Sequence, residues 1–181
     1  MLTAKEASIL LEIARSAIVS LVNNQEFKPY PREEKILNRR SGCFVTIKQH
    51  GQLRGCIGNF QSQLPLFLEV ASMAATAASK DPRFHPLNAA DLDNITLEIS
   101  VLSALEKIDD IERIEVGTHG IYLEKNFSRG VLLPQVASEY GWDRTTFLKQ
   151  TCQKAGLPVD AWQDADTDIY IFSAQIIKEE N

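Results

Sequence analysis

Residues 43–58 carry the stretch CFVTIKQHGQLRGCIG, which predicts an antiparallel β-hairpin. Residues 43–48 form the first predicted strand and residues 53–58 the returning one. Between them, Gly51 supplies the backbone angle that a tight turn needs. Because a short turn joins the two strands directly, the stretch favours an antiparallel sheet.

Helices and further strands surround this hairpin. Residues 3–6, Thr-Ala-Lys-Glu, fit a capping box and predict the start of a first helix. Pro65 suits the first turn of a second helix. Further strands are predicted at residues 95–101, 120–124, 131–133 and 169–177, and further helices after Pro134 and Asp143. Consecutive hairpins with few strand–helix–strand alternations predict an α+β fold, an antiparallel-rich sheet layered with helices.

The length of 181 residues predicts one domain, residues 1–181. A second set of strands and helices predicts a smaller α/β lobe at about residues 115–161. We expect the final strand to return to the first sheet.

Charge and cysteine content limit the function classes. The net charge of −5 argues against a non-specific nucleic-acid binder, although a local basic patch stays compatible with one. No apolar run reaches the roughly 18–20 residues of a membrane helix. Three widely spaced cysteines cannot form a full disulfide framework. We therefore expect a reduced, cytoplasmic chain.

Arg54 and Cys56 are the most informative polar residues. In a regular strand both side chains lie on one face, and Leu53 and Ile57 point to the other. A guanidinium beside a thiol favours the thiolate and lowers the thiol pKa, as in a nucleophilic or redox cysteine. The alternatives are a small buried cysteine beside a structural arginine, or a glycine bulge that breaks the alternation.

Two glycines complete this segment. Gly55 and Gly58 leave bare backbone that a ligand or another backbone can approach. The segment therefore predicts either a ligand site or a close packing point.

Two other segments hold candidate proton-transfer or binding groups. Asp81, Arg83 and His85 lie in a loop between prolines, where clustered polar groups often line sites. The alternative is a capped helix end with Arg83 in a surface ion pair. Glu98 lies on the polar face of the strand at residues 95–101 and is a general-base candidate if that face lies under a cleft. If the face is solvated, Glu98 is simply polar.

Metal and nucleotide motifs are absent from the sequence. The three histidines lack HxxxH or HxH spacing, so no metal site is predicted, although His85, His119 and Cys56 stay open as a set assembled in space. No Walker loop, dinucleotide fingerprint or GxSxG elbow is present. The sequence names no cofactor.

Several blocks in order resemble the AMMECR family over essentially the whole chain. They are LRGCIG at residues 53–58, GCFVTI at 42–47, DPRF at 81–84, LEISVLS at 97–103, GVLLPQV at 130–136 and AGLP at 155–158 with Trp162. Several such blocks are far more specific than one motif.

The resemblance implies a two-lobed α+β fold and a set of partners. Some prokaryotic members are encoded beside a Memo-like protein and a radical-SAM protein, a grouping called AmmeMemoRadiSam in which this type is protein A. The biochemical activity of the family is unsettled, and enzymatic as well as adaptor roles are discussed. Gln135 lies in one of the shared blocks and joins the candidate cleft residues.

Three functions follow from these residues. In an enzyme or enzyme component, Cys56 is the reactive thiol, Arg54 its electrostatic partner or anion clamp, and Glu98 or His85 the proton-transfer group. In a binding or adaptor module, the same face recognises a protein or a small-molecule ligand without a covalent step. In a structural role, the hexapeptide is a packing point between lobes.

Overall fold

The computed structural model describes residues 1–179, and these form an α+β fold, as predicted. The helices are Ala4–Val22 (α1), Leu66–Ser79 (α2), Pro134–Glu139 (α3) and Arg144–Lys154 (α4). The strands are Cys43–Gln49 (β1), Gln52–Asn59 (β2), Ile95–Leu102 (β3), Glu106–Ile108 (β4), Gly120–Lys125 (β5), Ser128–Leu132 (β6), Asp168–Phe172 (β7) and Ala174–Lys178 (β8). Among residues 1–179, no helix is long and apolar enough to cross a membrane.

The first compact unit comprises residues 1–102 and the described residues from Gln175 onward. Its sheet has the strand order β2-β1-β3-β8. Helix α1 begins with the predicted capping box, in which the Thr3 hydroxyl accepts from the Glu6 N–H and the Glu6 carboxylate accepts from the Thr3 N–H. This pairing satisfies backbone donors that the first turn of a helix leaves free.

One face of the first sheet forms the core of this unit. Val45, Ile47, Leu97 and Ile99 alternate along β1 and β3 and are fully or almost fully buried with the apolar faces of α1 and α2. The backbones of α2 and β2 lie very close, because a Cβ added at Gly55 would lie 2.5 Å from the Ala77 carbonyl oxygen. Residue 55 therefore has to lack a side chain.

The second compact unit is Ser103–Ala174, and the predicted smaller lobe at residues 115–161 lies within this range. Its sheet has the order β4-β7-β5-β6. Ile121, Leu123 and Ile171 on this sheet form a core with Phe147 and Leu148 of α4. The sequence did not predict the short strand β4, because three residues are too few to establish an alternating pattern.

The prediction of one final strand at residues 169–177 is wrong. The chain forms two strands there, β7 in the second sheet and β8 in the first. The break falls at Ser173, whose N–H donates to the Ser103 hydroxyl at 3.0 Å while its carbonyl accepts from the Ser103 N–H at 2.9 Å. Side-chain alternation continues through such a point, so the pattern alone does not show a change of sheet.

Along residues 53–58 regular alternation is wrong, and the alternative, a bulge beside a glycine, is what the structure has. The β1–β2 register pairs Lys48 with Leu53 but Ile47 with Gly55, so Arg54 is an extra residue in a β-bulge. Leu53 is consequently 44% exposed instead of sharing the core face with Ile57, which packs against the core.

Replacing Gly55 with alanine should lower the free energy of unfolding by about 1–3 kcal/mol, because the added methyl group meets backbone that cannot rotate away. Chemical denaturation measures the change. The exposed neighbour Gln52, changed to alanine, is the control and should stay within about 0.5 kcal/mol of the parent protein. A neutral Gly55→Ala would show that α2 and β2 separate without cost.

Candidate functional site

A row of three side chains crosses the outer face of the first sheet. Thr46 on β1 pairs with Cys56 on β2 and with Glu98 on β3, and residues paired across antiparallel strands share a face. Strands lie roughly 4.8 Å apart. Thr46 therefore stands between the thiol and the carboxylate, which are separated by two strand spacings.

Cys56 is the one partly accessible cysteine of the three. Its Sγ accepts a hydrogen bond from the Thr46 hydroxyl at 3.2 Å. Cys43 and Cys152 are fully buried, and burial raises the pKa of both thiols. Because the thiolate is the reactive form of cysteine, the environment favours Cys56 as the reactive residue.

The Asp81 carboxylate fixes the backbone of Cys56 from the edge of the sheet. Strand β2 is an edge strand, and the Cys56 N–H donates to Asp81 Oδ2 at 2.9 Å. The Cys56 carbonyl accepts from Arg83 Nη2 at 3.3 Å. These two bonds occupy backbone groups that an edge strand otherwise leaves free for pairing with another chain.

Asp81 and Arg83 form a bidentate ion pair. Arg83 donates from Nε to Oδ1 at 2.9 Å and from Nη2 to Oδ2 at 2.7 Å. The guanidinium holds the pKa of Asp81 well below its usual range, although burial opposes this, and Asp81 in turn raises the pKa of Arg83. The Asp81 side chain is only 2% exposed, whereas that of Arg83 is 53% exposed.

Arg54 reaches the loop that follows α2. Its Nη1 donates to the His85 carbonyl at 2.8 Å, its Nη2 lies 3.9 Å from Asp91 Oδ2, and its guanidinium lies over the Phe84 ring. Arg54 therefore binds the loop, and it is Arg83 that contacts the backbone of Cys56.

The two candidate proton-transfer residues have different surroundings. Glu98 Oε2 lies 3.1 Å from Lys48 Nζ and 3.2 Å from Lys178 Nζ. Partial burial acts to raise the pKa of Glu98, but the two lysines together lower it. The His85 imidazole is exposed at the surface, and it is the backbone carbonyl of this residue that binds Arg54.

Gln135 lies in the second unit, on helix α3. Its Oε1 atom is buried and has no hydrogen-bond partner among residues 1–179. The other candidates, which are residues 53–58, Asp81, Arg83, His85 and Glu98, lie in the first unit.

Thr46 is the residue that sequence reasoning missed. Counting back from the turn pair Gln49–Gln52 in a regular hairpin places Cys56 opposite Val45. The extra residue at Arg54 shifts the register by one and brings Thr46 opposite Cys56 instead. Glycine at position 55 was the available signal, because glycine within a strand often marks a bulge.

The largely apolar groove of the first unit lies apart from the candidate residues. A groove of about 580 Å³ with largely apolar walls lies between α1 and α2, and none of the candidate residues lines it. Within residues 1–179, no group of three or more His, Cys, Asp or Glu side chains is placed to hold a metal ion.

Comparison with known proteins gives one family. The family model AMMECR1 matches residues 11–177. A protein of Methanothermobacter thermautotrophicus is 40% identical, with 99% of this chain and 97% of the relative covered. One of Aquifex aeolicus is 39% identical, over 94% and 91%. The crystal structure of an uncharacterised protein from Pyrococcus horikoshii has a TM-score of 0.83 and 40% identity, covering 94% of this chain and 90% of that one.

Iodoacetamide should label the folded protein once, at Cys56, because Cys43 and Cys152 are fully buried in the core. Intact-mass and peptide mass spectrometry locate the adduct. The Cys56→Ser variant should take up no label until it is unfolded. Comparable labelling of Cys43 in the native protein would contradict the assignment of Cys56 as the reactive cysteine.

Replacing Asp81 with asparagine should destabilise the protein at pH 7 by about 1–3 kcal/mol, because a charged hydrogen-bond acceptor is lost. Because the native pKa of Asp81 is far below the value of about 3.9 in the unfolded chain, its carboxylate contributes stability in full above that value and loses it progressively as the pH falls from there toward the native pKa. The difference in stability between the two proteins should therefore start to shrink below about pH 4 and close only at much lower pH. The exposed Asp93→Asn is the control and should change little at any pH.

Proposed function

Because the chain belongs to the AMMECR1 family, one solved relative of which is described as uncharacterised, we propose a function from the chain's own residues, namely an enzyme or enzyme component that reacts through Cys56. The substrate is a small molecule or a modified macromolecule. The supporting observation is an accessible thiol whose sulfur and backbone are both held in place.

Three contacts prepare this thiol for attack. The Thr46 hydroxyl donates to the sulfur, Asp81 accepts from the Cys56 N–H, and Arg83 donates to the Cys56 carbonyl. A nucleophile fixed in this way does not lose further conformational freedom on reaction. The hydroxyl also supplies a hydrogen bond to negative charge on the sulfur.

The covalent step is a displacement at a substrate carbon, with the Cys56 sulfur as the nucleophile. The sulfur forms a bond to an electrophilic carbon of the substrate, and the leaving group departs with the electron pair of the bond that breaks. The thiol proton passes to water, either finally or on its way to a protein base. Glu98, in the same cross-strand row, and the exposed His85 are the candidates for that base.

The remaining motif residues shape this site. Arg54 fixes the loop that carries Asp81 and Arg83, while Gly55 and Gly58 let neighbouring backbone and Phe44 lie close to β2. We place the reaction in the cytoplasm and propose Memo-like and radical-SAM proteins as partners.

A binding or adaptor module is the second candidate. Arg83 favours it, because its guanidinium is half exposed although its partner Asp81 is buried, and an exposed guanidinium suits recognition of a partner. In that case Cys56 contacts the partner but forms no bond with it.

Removal of the thiol separates the two functions. The parent protein and Cys56→Ser are incubated with small molecules extracted from cells and analysed by intact mass. A covalent adduct on the parent protein that Cys56→Ser lacks supports the enzyme. Equal capture of the Memo-like or radical-SAM protein by both forms, with no adduct on either, supports the adaptor and contradicts a reacting Cys56.

Replacing Thr46 with valine should slow adduct formation about two- to ten-fold, because the hydrogen bond to the sulfur is lost while the shape is kept. The rate of iodoacetamide labelling is the measurement. Thr96→Val is the matched control, since Thr96 is a partly buried threonine on the same face, opposite Lys48, and should leave the rate unchanged. An unaltered rate in Thr46→Val would remove the hydroxyl from the mechanism.

A further inference from the structure

We infer that the Cys56 site takes an anionic substrate, one that carries a carboxylate or phosphate group close to the atom that reaches the sulfur. The inference rests on the proposed function and specifies its substrate class. It is carried by two sets of ion pairs on this part of the molecule, in which the carboxylates of Asp81 and Glu98 are more buried than the cations that pair with them.

The carboxylates of this region are covered by protein. The exposed fractions of their side chains are 2% for Asp81, 16% for Glu98 and 18% for Asp91. Each is also paired with a cation, so little negative charge reaches a molecule approaching from solvent.

The cations paired with Asp81 and Glu98 extend further into solvent. Arg83 is 53% exposed, Lys178 63% and Lys48 37%. In these ion pairs the more exposed partner is therefore the positive one, although the whole chain carries a net charge of −5. A local field of this kind raises the concentration of anions at the site.

Arg83 has a donor to spare for such an anion. Its Nε and Nη2 are taken by Asp81 and by the Cys56 carbonyl, and Nη1 has no acceptor among residues 1–179. Because the ion pair holds the guanidinium plane, a group bound at Nη1 is fixed relative to Cys56. Planar guanidinium groups bind carboxylates and phosphates with good geometry.

Arg83 is better placed than Arg54 to meet an anion beside Cys56. Its Nη2 donates to the Cys56 carbonyl at 3.3 Å, and its side chain is 53% exposed. Arg54, in contrast, is only 17% exposed and is occupied by the His85 carbonyl and Asp91. Arg83 is therefore the residue that selects the anion.

Two alkylating reagents of almost equal size test this inference. Iodoacetate is anionic and iodoacetamide neutral, and with each the sulfur bonds to carbon while iodide leaves and the thiol proton goes to buffer. The measured quantity is the rate constant for iodoacetate divided by that for iodoacetamide at Cys56. The same ratio for the neutral thiol N-acetylcysteine amide is the reference. At low salt the ratio should be about two- to five-fold higher for the protein.

Salt and substitutions locate the source of the preference. The amount by which the protein's ratio exceeds that of the model thiol should disappear at about 1 M salt, because charges more than roughly 3 Å apart are then screened from one another. The double variant Asp81→Asn/Arg83→Gln, which leaves no buried charge unpaired, should lose at least half of the excess. Lys35→Gln removes one exposed positive charge elsewhere on the unit and should leave the ratio unchanged.

The outcomes distinguish this inference from the proposed function. A ratio equal to or below that of the model thiol, or one that the double variant does not change, overturns the anion preference while fast iodoacetamide labelling still supports a reactive Cys56. If Cys56 reacts with neither reagent, both proposals fail. Should the double variant not fold, the salt dependence of the parent protein decides.

Discussion

The position of the thiol depends on a single extra residue in β2. The turn at residues 50–51 fixes the register at its end of the hairpin, and an uninterrupted ladder from there would pair Cys56 with Val45 on the core side. With Arg54 bulged out, Gly55 and Ile57 face the helices and Cys56 faces outward beside Thr46. A one-residue slip reverses every side chain beyond it, so the bulge determines both the packing of the core and the chemistry of the surface.

The bulge and the loop after α2 stabilise one another. Arg54, displaced from the regular ladder, binds the His85 carbonyl, and Asp81 at the start of that loop binds the Cys56 N–H. Asp81 is buried and charged, a costly combination unless its oxygens are fully paired. Its partners are Cys56 and Arg83, so the same carboxylate that closes the edge of the sheet also orients the guanidinium beside the thiol.

Local patterns predicted much of this fold, and contacts distant in sequence account for what they missed. The capping box at Thr3 and the hairpin around Gly51 depend on neighbours along the chain, so the local sequence is enough to predict them. The exchange of sheets at Ser173 depends on Ser103, seventy residues away, and leaves no periodic trace. At the site, the sequence placed Cys56, Asp81 and Arg83 among the candidates, but the role of Thr46 required the register and therefore the bulge.

The position of β8 has a consequence for biosynthesis. This strand completes the sheet of the first unit beside β3, yet the whole of residues 103–174 has to be translated between them. At ribosomal speeds that interval is on the order of ten seconds. During it the backbone N–H and C=O groups along that side of β3 have no strand to pair with, so the first sheet is completed only after the second unit has been made.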